Sequence, residues 1–163
     1  MRIRLHDNLQ LDQVLHTGKD FVFVGLGGRS DKALSERRIK RSPWRDVASM
    51  LLSFQCAAYA ILFDEIPGGT RRIEDAPALE KWAGYWCDWV SAMYLKGYFE
   101  SAGRMSSLSL NDSDVRLLLD AFVIERALEE ITRELIERPP RVQTPARVIL
   151  RVLDAPNGSE RRQ

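Results

Sequence analysis

The chain has 163 residues, 45% of them apolar and 29% charged, the balance of an ordinary globular domain rather than of a disordered or membrane-spanning chain. Lys and Arg number 24 against 23 Asp and Glu, a formal net charge of +1, so no strong field draws it to nucleic acid or to an acidic membrane. Cys56 and Cys87 lie far apart, with no metal-ligand spacing and no disulfide framework, which predicts reduced thiols and a cytoplasmic location.

MRIRLHDN, the N-terminus, lacks the apolar run of a secretory leader. RIRL (2–5) predicts a short strand. QVLH (13–16) and FVFV (21–24) flank the turn sequence TGKD and predict a hairpin, with FVFV as a buried strand. LGGRSDKALSERRIKR (26–41) is polar and basic and predicts a loop. A helix then opens at Ser42 as cap, Pro43 in the first position and Asp46 at the positive end. Val47, Met50, Leu51, Phe54, Ala58, Ile61 and Leu62 recur at helical spacing. The uncharged run 47–63 is shorter than the roughly 20 residues of a membrane span. It also holds Ser49, Ser53 and Gln55, and it predicts a buried central helix instead.

IPGGTRR (66–72) ends that helix, and a second runs over 76–101. It is heavy in aromatics: Trp82, Tyr85, Trp86, Trp89, Tyr94, Tyr98 and Phe99. Residues 82, 85, 86 and 89 share one face, the spacing of core packing, with the lining of a sugar pocket as the alternative. After a serine-rich break, LNDSD opens a third helix with Val115, Leu118, Leu119, Phe122, Val123, Ile131 and Leu135 inward, stopped by Pro139 and Pro140. Thr144 and Pro145 start a last helix ending near Asp154. These elements make an α+β chain, mostly α: a short β-hairpin packed on a helical bundle. The expected organisation is one domain over 1–155, with hairpin and loop in 1–41 and helices in 42–155, and a disordered tail over 156–163. Two short strands make a poor sheet alone, so they need the helices or further chain to lie against.

FVFVGLGGRS raises the question of a phosphate loop at Gly25, Gly27 and Gly28. A dinucleotide fingerprint needs another glycine where Ser30 stands, and a helix at once after it. The polar loop that follows argues against that reading.

Three blocks carry a resemblance: HDNLQLDQVL (6–15), TGKDFVFVGLGGRS (17–30) and LSERRIKRSPWRDVASMLLSF (34–54). With VRLLLDAFVIERALEEITRELIERPPRVQTPARVIL further on, the chain resembles the C-terminal part of the bacterial maltokinase family, above all the maltokinase domains fused to trehalose synthase. The family patterns are H-G-D-Y-H-L-G-Q-V-L, T-G-x-D-F-V-I-I-D-F-E-G-E-P and L-x-E-R-R-x-K-x-S-P-L-R-D-V-A-G-M-L-x-S-F. The resemblance covers nearly the whole chain. It implies the C-lobe of an aminoglycoside-phosphotransferase-like and protein-kinase-like fold, with the N-lobe outside this sequence. The family reaction is ATP-dependent phosphorylation of maltose to maltose 1-phosphate, in trehalose and glycogen metabolism.

The departures fall on the catalytic groups. The aspartate that handles the acceptor hydroxyl in the first motif is Asn8 here, and an amide takes up no proton at neutral pH. The aspartate that holds magnesium is Gly25, and the two glutamates after it are Gly27 and Arg29. Leu9, Gln10 and Asp12 replace the motif's Tyr, His and second Gly, whereas Gln13 matches the metal-binding set. Asp7 sits one position before the base site and Asp12 one before Gln13, and neighbouring side chains in extended chain point apart. The expectation is a degenerate, inactive maltokinase-like pseudokinase, with no cofactor although the family uses ATP and magnesium. The expected partners are maltose or a maltooligosaccharide, trehalose synthase or an intact maltokinase, with neither nucleic acid nor membrane. A non-catalytic saccharide-binding or docking module is the alternative. His6 is expected to brace the first loop and His16 to lie at the surface. Arg37, Arg38, Lys40 and Arg41 are expected solvated or paired within the chain, and Arg45 and Asp46 to anchor the loop to the first long helix.

Overall fold

The computed structural model describes residues 2–27, 33–62, 76–102 and 111–154. A 3-10 turn over Leu11–Gln13 leads into β1 (Val14–His16), which pairs antiparallel with β2 (Phe21–Phe23) in the register Val14↔Phe23, Leu15↔Val22, His16↔Phe21. TGKD makes the predicted turn. The Thr17 amide donates to the Asp20 carbonyl at 2.9 Å, and the Asp20 amide donates to the Thr17 hydroxyl oxygen at 3.1 Å. Gly18 stands at φ 90°, a backbone that glycine adopts at no steric cost. The predicted RIRL strand shrinks to one bridge, in which Ile3 and Arg41 exchange two amide–carbonyl bonds of 2.9 Å. Within the predicted basic loop lies a short helix, α1 (Leu34–Arg37).

α2 (Trp44–Leu62) begins directly after Pro43, whose carbonyl accepts the amides of Asp46 and Val47. Proline suits this place because the missing N–H would have no partner in a first turn. α3 (Ala76–Ala102), α4 (Asp112–Glu137) and α5 (Gln143–Asp154) pack around it, with a 3-10 turn over Pro139–Val142 between the last two. Asn111 caps α4 by accepting the Asp114 amide at 2.8 Å.

The core follows from the uncharged run. Trp44, Val47, Ala48, Met50, Leu51, Leu52 and Phe54 are buried together with Leu119, Val123 and Ala127 of α4 and Val148 of α5. α2 is covered on nearly every side, as an apolar all-round helix must be. Each large side chain so buried contributes about 1.5–3 kcal/mol. Among the described residues no helix is long and apolar enough to cross a membrane.

Three expectations are corrected. FVFV is not a buried strand: Phe21 is 68% exposed, and Val22 and Phe23 are exposed too. A two-stranded ribbon has two faces, and this one meets the helical core through Val14. On α3, Trp82 and Trp89 are 70% and 73% exposed and Tyr85 and Trp86 also face solvent. Cys87, Val90, Tyr94, Leu95 and Tyr98 take the inner face. Helical spacing tells which residues share a side; it leaves open which side turns inward. On α4, Leu135 is exposed and its neighbour Glu134 is buried. The expectations for Gly28, Arg29, Ser30, residues 66–72 and the tail 156–163 lie outside the described residues.

Candidate functional site

The first motif runs along α2 and is held by it. The Asp46 carboxylate, in the first turn of α2, accepts the His6 amide on Oδ2 at 2.7 Å and the Asp7 amide on Oδ1 at 2.9 Å. Asp7 stands at φ 61°, the left-handed region, so this paired clamp fixes a bend that an L-residue disfavours. Burial pushes the Asp46 carboxyl above its ordinary pKa, against the two amide bonds, which pull it down. The His6 ring lies with Nε2 2.6 Å from the Val24 carbonyl oxygen, so that nitrogen donates and ties the loop to the end of β2. Further on, the Leu11 amide donates to Ser53 Oγ at 3.3 Å. His6 therefore braces the loop as expected, and His16 is exposed beside Phe21.

Gln13 and Gly25 come together at the base of the hairpin. The Gln13 carbonyl accepts the Val24 amide at 2.9 Å. Gly25 stands at φ 74°. A Cβ built on it would lie 2.1 Å from Gln13 Oε1, 3.2 Å from Gln13 Cδ and 3.5 Å from His6 Cε1. The Gln13 amide, the far end of a flexible side chain, thus occupies the space that a Cβ at position 25 would take. Asn8 is half-buried on the loop between Asp7 and the 3-10 turn, and Asp12 is exposed within that turn.

Beyond the loop, Trp44 packs its ring 5.5 Å from Tyr98 and 5.8 Å from Phe99. Burial pushes the Tyr94 phenol up to about 12, so it stays neutral through the physiological range.

No protein-family model matches the chain. Among solved structures it is similar to a glucosamine kinase in complex with glucosamine, ADP and inorganic phosphate, with a TM-score of 0.71 at 18% identity. The match covers 93% of this chain and 35% of that one. The fold is kinase-like. This chain spans about a third of the length of that sugar kinase.

Within the kinase-like fold, the residues at the loop do not fit a magnesium–nucleotide centre. Magnesium takes oxygen ligands, and in nucleotide sites these are one or two carboxylates beside substrate phosphates and water. The oxygen on offer beside Gly25 belongs to the neutral amide of Gln13, and Gly25 offers none. Among the described residues no three His, Cys, Asp or Glu side chains gather to hold a metal ion.

Arg45 differs from the expectation. Of the two, Asp46 holds the first-motif loop, through the His6 and Asp7 amides. Arg45 is buried and reaches the other way, donating to Glu125 Oε1 at 2.6 Å and Glu129 Oε1 at 3.4 Å, with its guanidinium 5.9 Å from the Phe122 ring centre. It pins α2 to α4. Consecutive helix residues point about 100° apart, so Arg45 and Asp46 serve different neighbours. In the basic run, Arg37 donates to the Gly27 carbonyl at 3.2 Å and Arg41 pairs with Glu36 at 3.7 Å, while Arg38 and Lys40 are exposed. The roles of Glu125, Glu129 and Glu134 carry no sequence signal beyond an ordinary charged helix.

Proposed function

We propose that this chain is a degenerate maltokinase-like fragment that does not transfer phosphate. The observation that carries the reading is the pairing of Gly25 with Gln13. Position 25 carries no carboxylate, its backbone is left-handed, and the neighbouring amide fills the exit from its Cα. Asn8 adds the second loss, since a carboxamide neither accepts the acceptor's proton nor carries charge. Phosphoryl transfer rests on positioning and metal-assisted charge neutralisation, and each missing group removes orders of magnitude in rate. The loop that would present these groups is still clamped by Asp46 and His6, so the reading is of a retained frame without its chemistry.

The test is direct. Purified chain is incubated with magnesium-ATP and maltose, and maltose 1-phosphate and ADP are followed by phosphorus NMR. The expected result is no product above the protein-free control. Measurable maltose phosphorylation overturns the reading.

A second reading, a docking module for trehalose synthase or an intact maltokinase, is supported by the solvent-facing Trp82, Tyr85, Trp86 and Trp89 of α3. Exposed apolar groups in one contiguous set mark interaction surfaces more often than isolated ones do. Calorimetric titration of each partner with the chain, and with its Trp82→Ser/Trp89→Ser variant, tests it. Binding lost in the variant supports docking, and absence of binding to both partners removes it.

A further inference from the structure

The outward rings of α3 form one stripe. Trp82, Tyr85, Trp86 and Trp89, with Leu79 before them and Met93 after, recur at intervals of three and four, so they follow one side of the helix for about 21 Å. Trp82, Tyr85 and Trp89 are 70%, 66% and 73% exposed, and Trp86 and Met93 45% and 56%. Glu80 and Asp88 turn aside to bond Arg147 and Arg151 of α5. Lys81 stands about 100° round the helix from Trp82. The stripe ends where Lys96 meets Glu100 at 4.0 Å.

A whole aromatic side chain presents about 150–250 Å², so the four rings alone leave about 400–600 Å² in solvent. That matches the largest apolar patch of a typical monomer, about 300–600 Å², before Leu79 and Met93 extend it. Two such faces together reach about 1,200 Å², where specific interfaces begin. The rings are also held in place: Trp86 meets Phe54 edge-on at 6.4 Å, and Trp82 meets Tyr85 at 6.1 Å. Ordered side chains lose less entropy when a partner arrives.

We infer that a second copy of this chain covers the stripe, in an antiparallel α3–α3 pair about a twofold axis. A twofold interface sets one patch against itself, and an uncharged stripe meets its own copy without like-charge repulsion. The formal net charge of +1 adds little repulsion between whole chains. Antiparallel helices also oppose their dipoles. Trp, Tyr and Met are the residues that interface cores favour, and charge is what they lack. This pairing goes beyond the docking reading and does not rest on it, because it needs no other protein.

The test is sedimentation equilibrium of the purified chain alone over about 1–100 µM, the range suited to an interface of this small area, with tryptophan emission followed in parallel. A monomer–dimer equilibrium is expected, with emission moving to shorter wavelength as the dimer forms. Trp82→Ser/Trp89→Ser is expected to weaken dimerisation about tenfold or more, with helix content unchanged. Met93→Glu sets like charge into the stripe of both copies and is expected to do the same, so the test survives a poorly folded first variant. The inference is overturned if the chain stays monomeric, if it assembles beyond a dimer, or if the folded variants dimerise as the parent does. A chain that is monomeric alone yet binds trehalose synthase or maltokinase through these tryptophans overturns the self-pairing and leaves the docking reading standing.

Discussion

Gly25→Ala tests the geometry on which the functional reading depends. The new methyl carbon would lie 2.1 Å from Gln13 Oε1, more than an ångström inside ordinary contact, so the amide must swing away. Holding a non-glycine residue at φ 74° costs about 1–2 kcal/mol. Forcing Gln13 off its rotamer adds about 0.5–1.5 kcal/mol. The stiffer unfolded chain offsets about 0.4–1 kcal/mol. The net expectation is a loss of about 0.5–3 kcal/mol, read from urea unfolding followed by far-ultraviolet circular dichroism. Gln13→Ala in the same background removes the collision and leaves the backbone strain. A double-mutant cycle is then expected to show coupling of about 0.5–1 kcal/mol. Gly25→Asn is expected to cost less than Gly25→Ala, because asparagine tolerates the left-handed region. A Gly25→Ala loss below about 0.5 kcal/mol, or a cycle without coupling, refutes the argument that Gln13 and the backbone close this position to a side chain. An acid placed at this position, as in Gly25→Asp, is accommodated only if Gln13 leaves its present rotamer.

Asp46→Ala strips two amide bonds from the loop and releases the bend at Asp7, with an expected loss of about 2–3 kcal/mol and faster amide exchange at His6 and Asp7; unchanged exchange at both contradicts the clamp. Tyr94, whose folded pKa is raised to about 12, contributes stability that is full below the ordinary phenol value near 10 and is lost as pH rises through about 12. Tyr94→Phe is therefore expected to flatten alkaline unfolding over that window, and an unaltered pH profile argues against the burial. Trp89→Ser, on the exposed side of α3, is expected to change stability by less than about 0.5 kcal/mol. Trp44→Ala in the core is expected to cost about 3–5 kcal/mol, and equal losses for the two would mean that α3 is turned the wrong way.

Local chemistry determined much of this protein before any packing. Pro43 and Asn111 start α2 and α4, Pro139 and Pro140 stop α4, and Thr17 to Asp20 turn the hairpin, because each of these acts on backbone groups within a few residues. The identity of residues 8 and 25 is likewise plain in the sequence, and so is the lack of a carboxylate at either.

What only the tertiary structure decided are matters of direction. A helix with apolar residues on several sides, such as α3, has no inward face until a neighbour approaches. α2 approached along Cys87, Val90, Tyr94 and Tyr98, and the tryptophans were left in solvent. Arg45 and Asp46 are adjacent in sequence, yet one holds α4 and the other the loop, since the helix turns them toward different partners. That position 25 is a glycine is legible in the sequence. Its left-handed backbone, and the Gln13 amide lying across it, depend on where β2 ends against the 3-10 turn, which no spacing encodes. The burial of Glu134 arises in the same way, because sequence periodicity does not mark this glutamate out and the packing of α4 against α2 and α5 covers it.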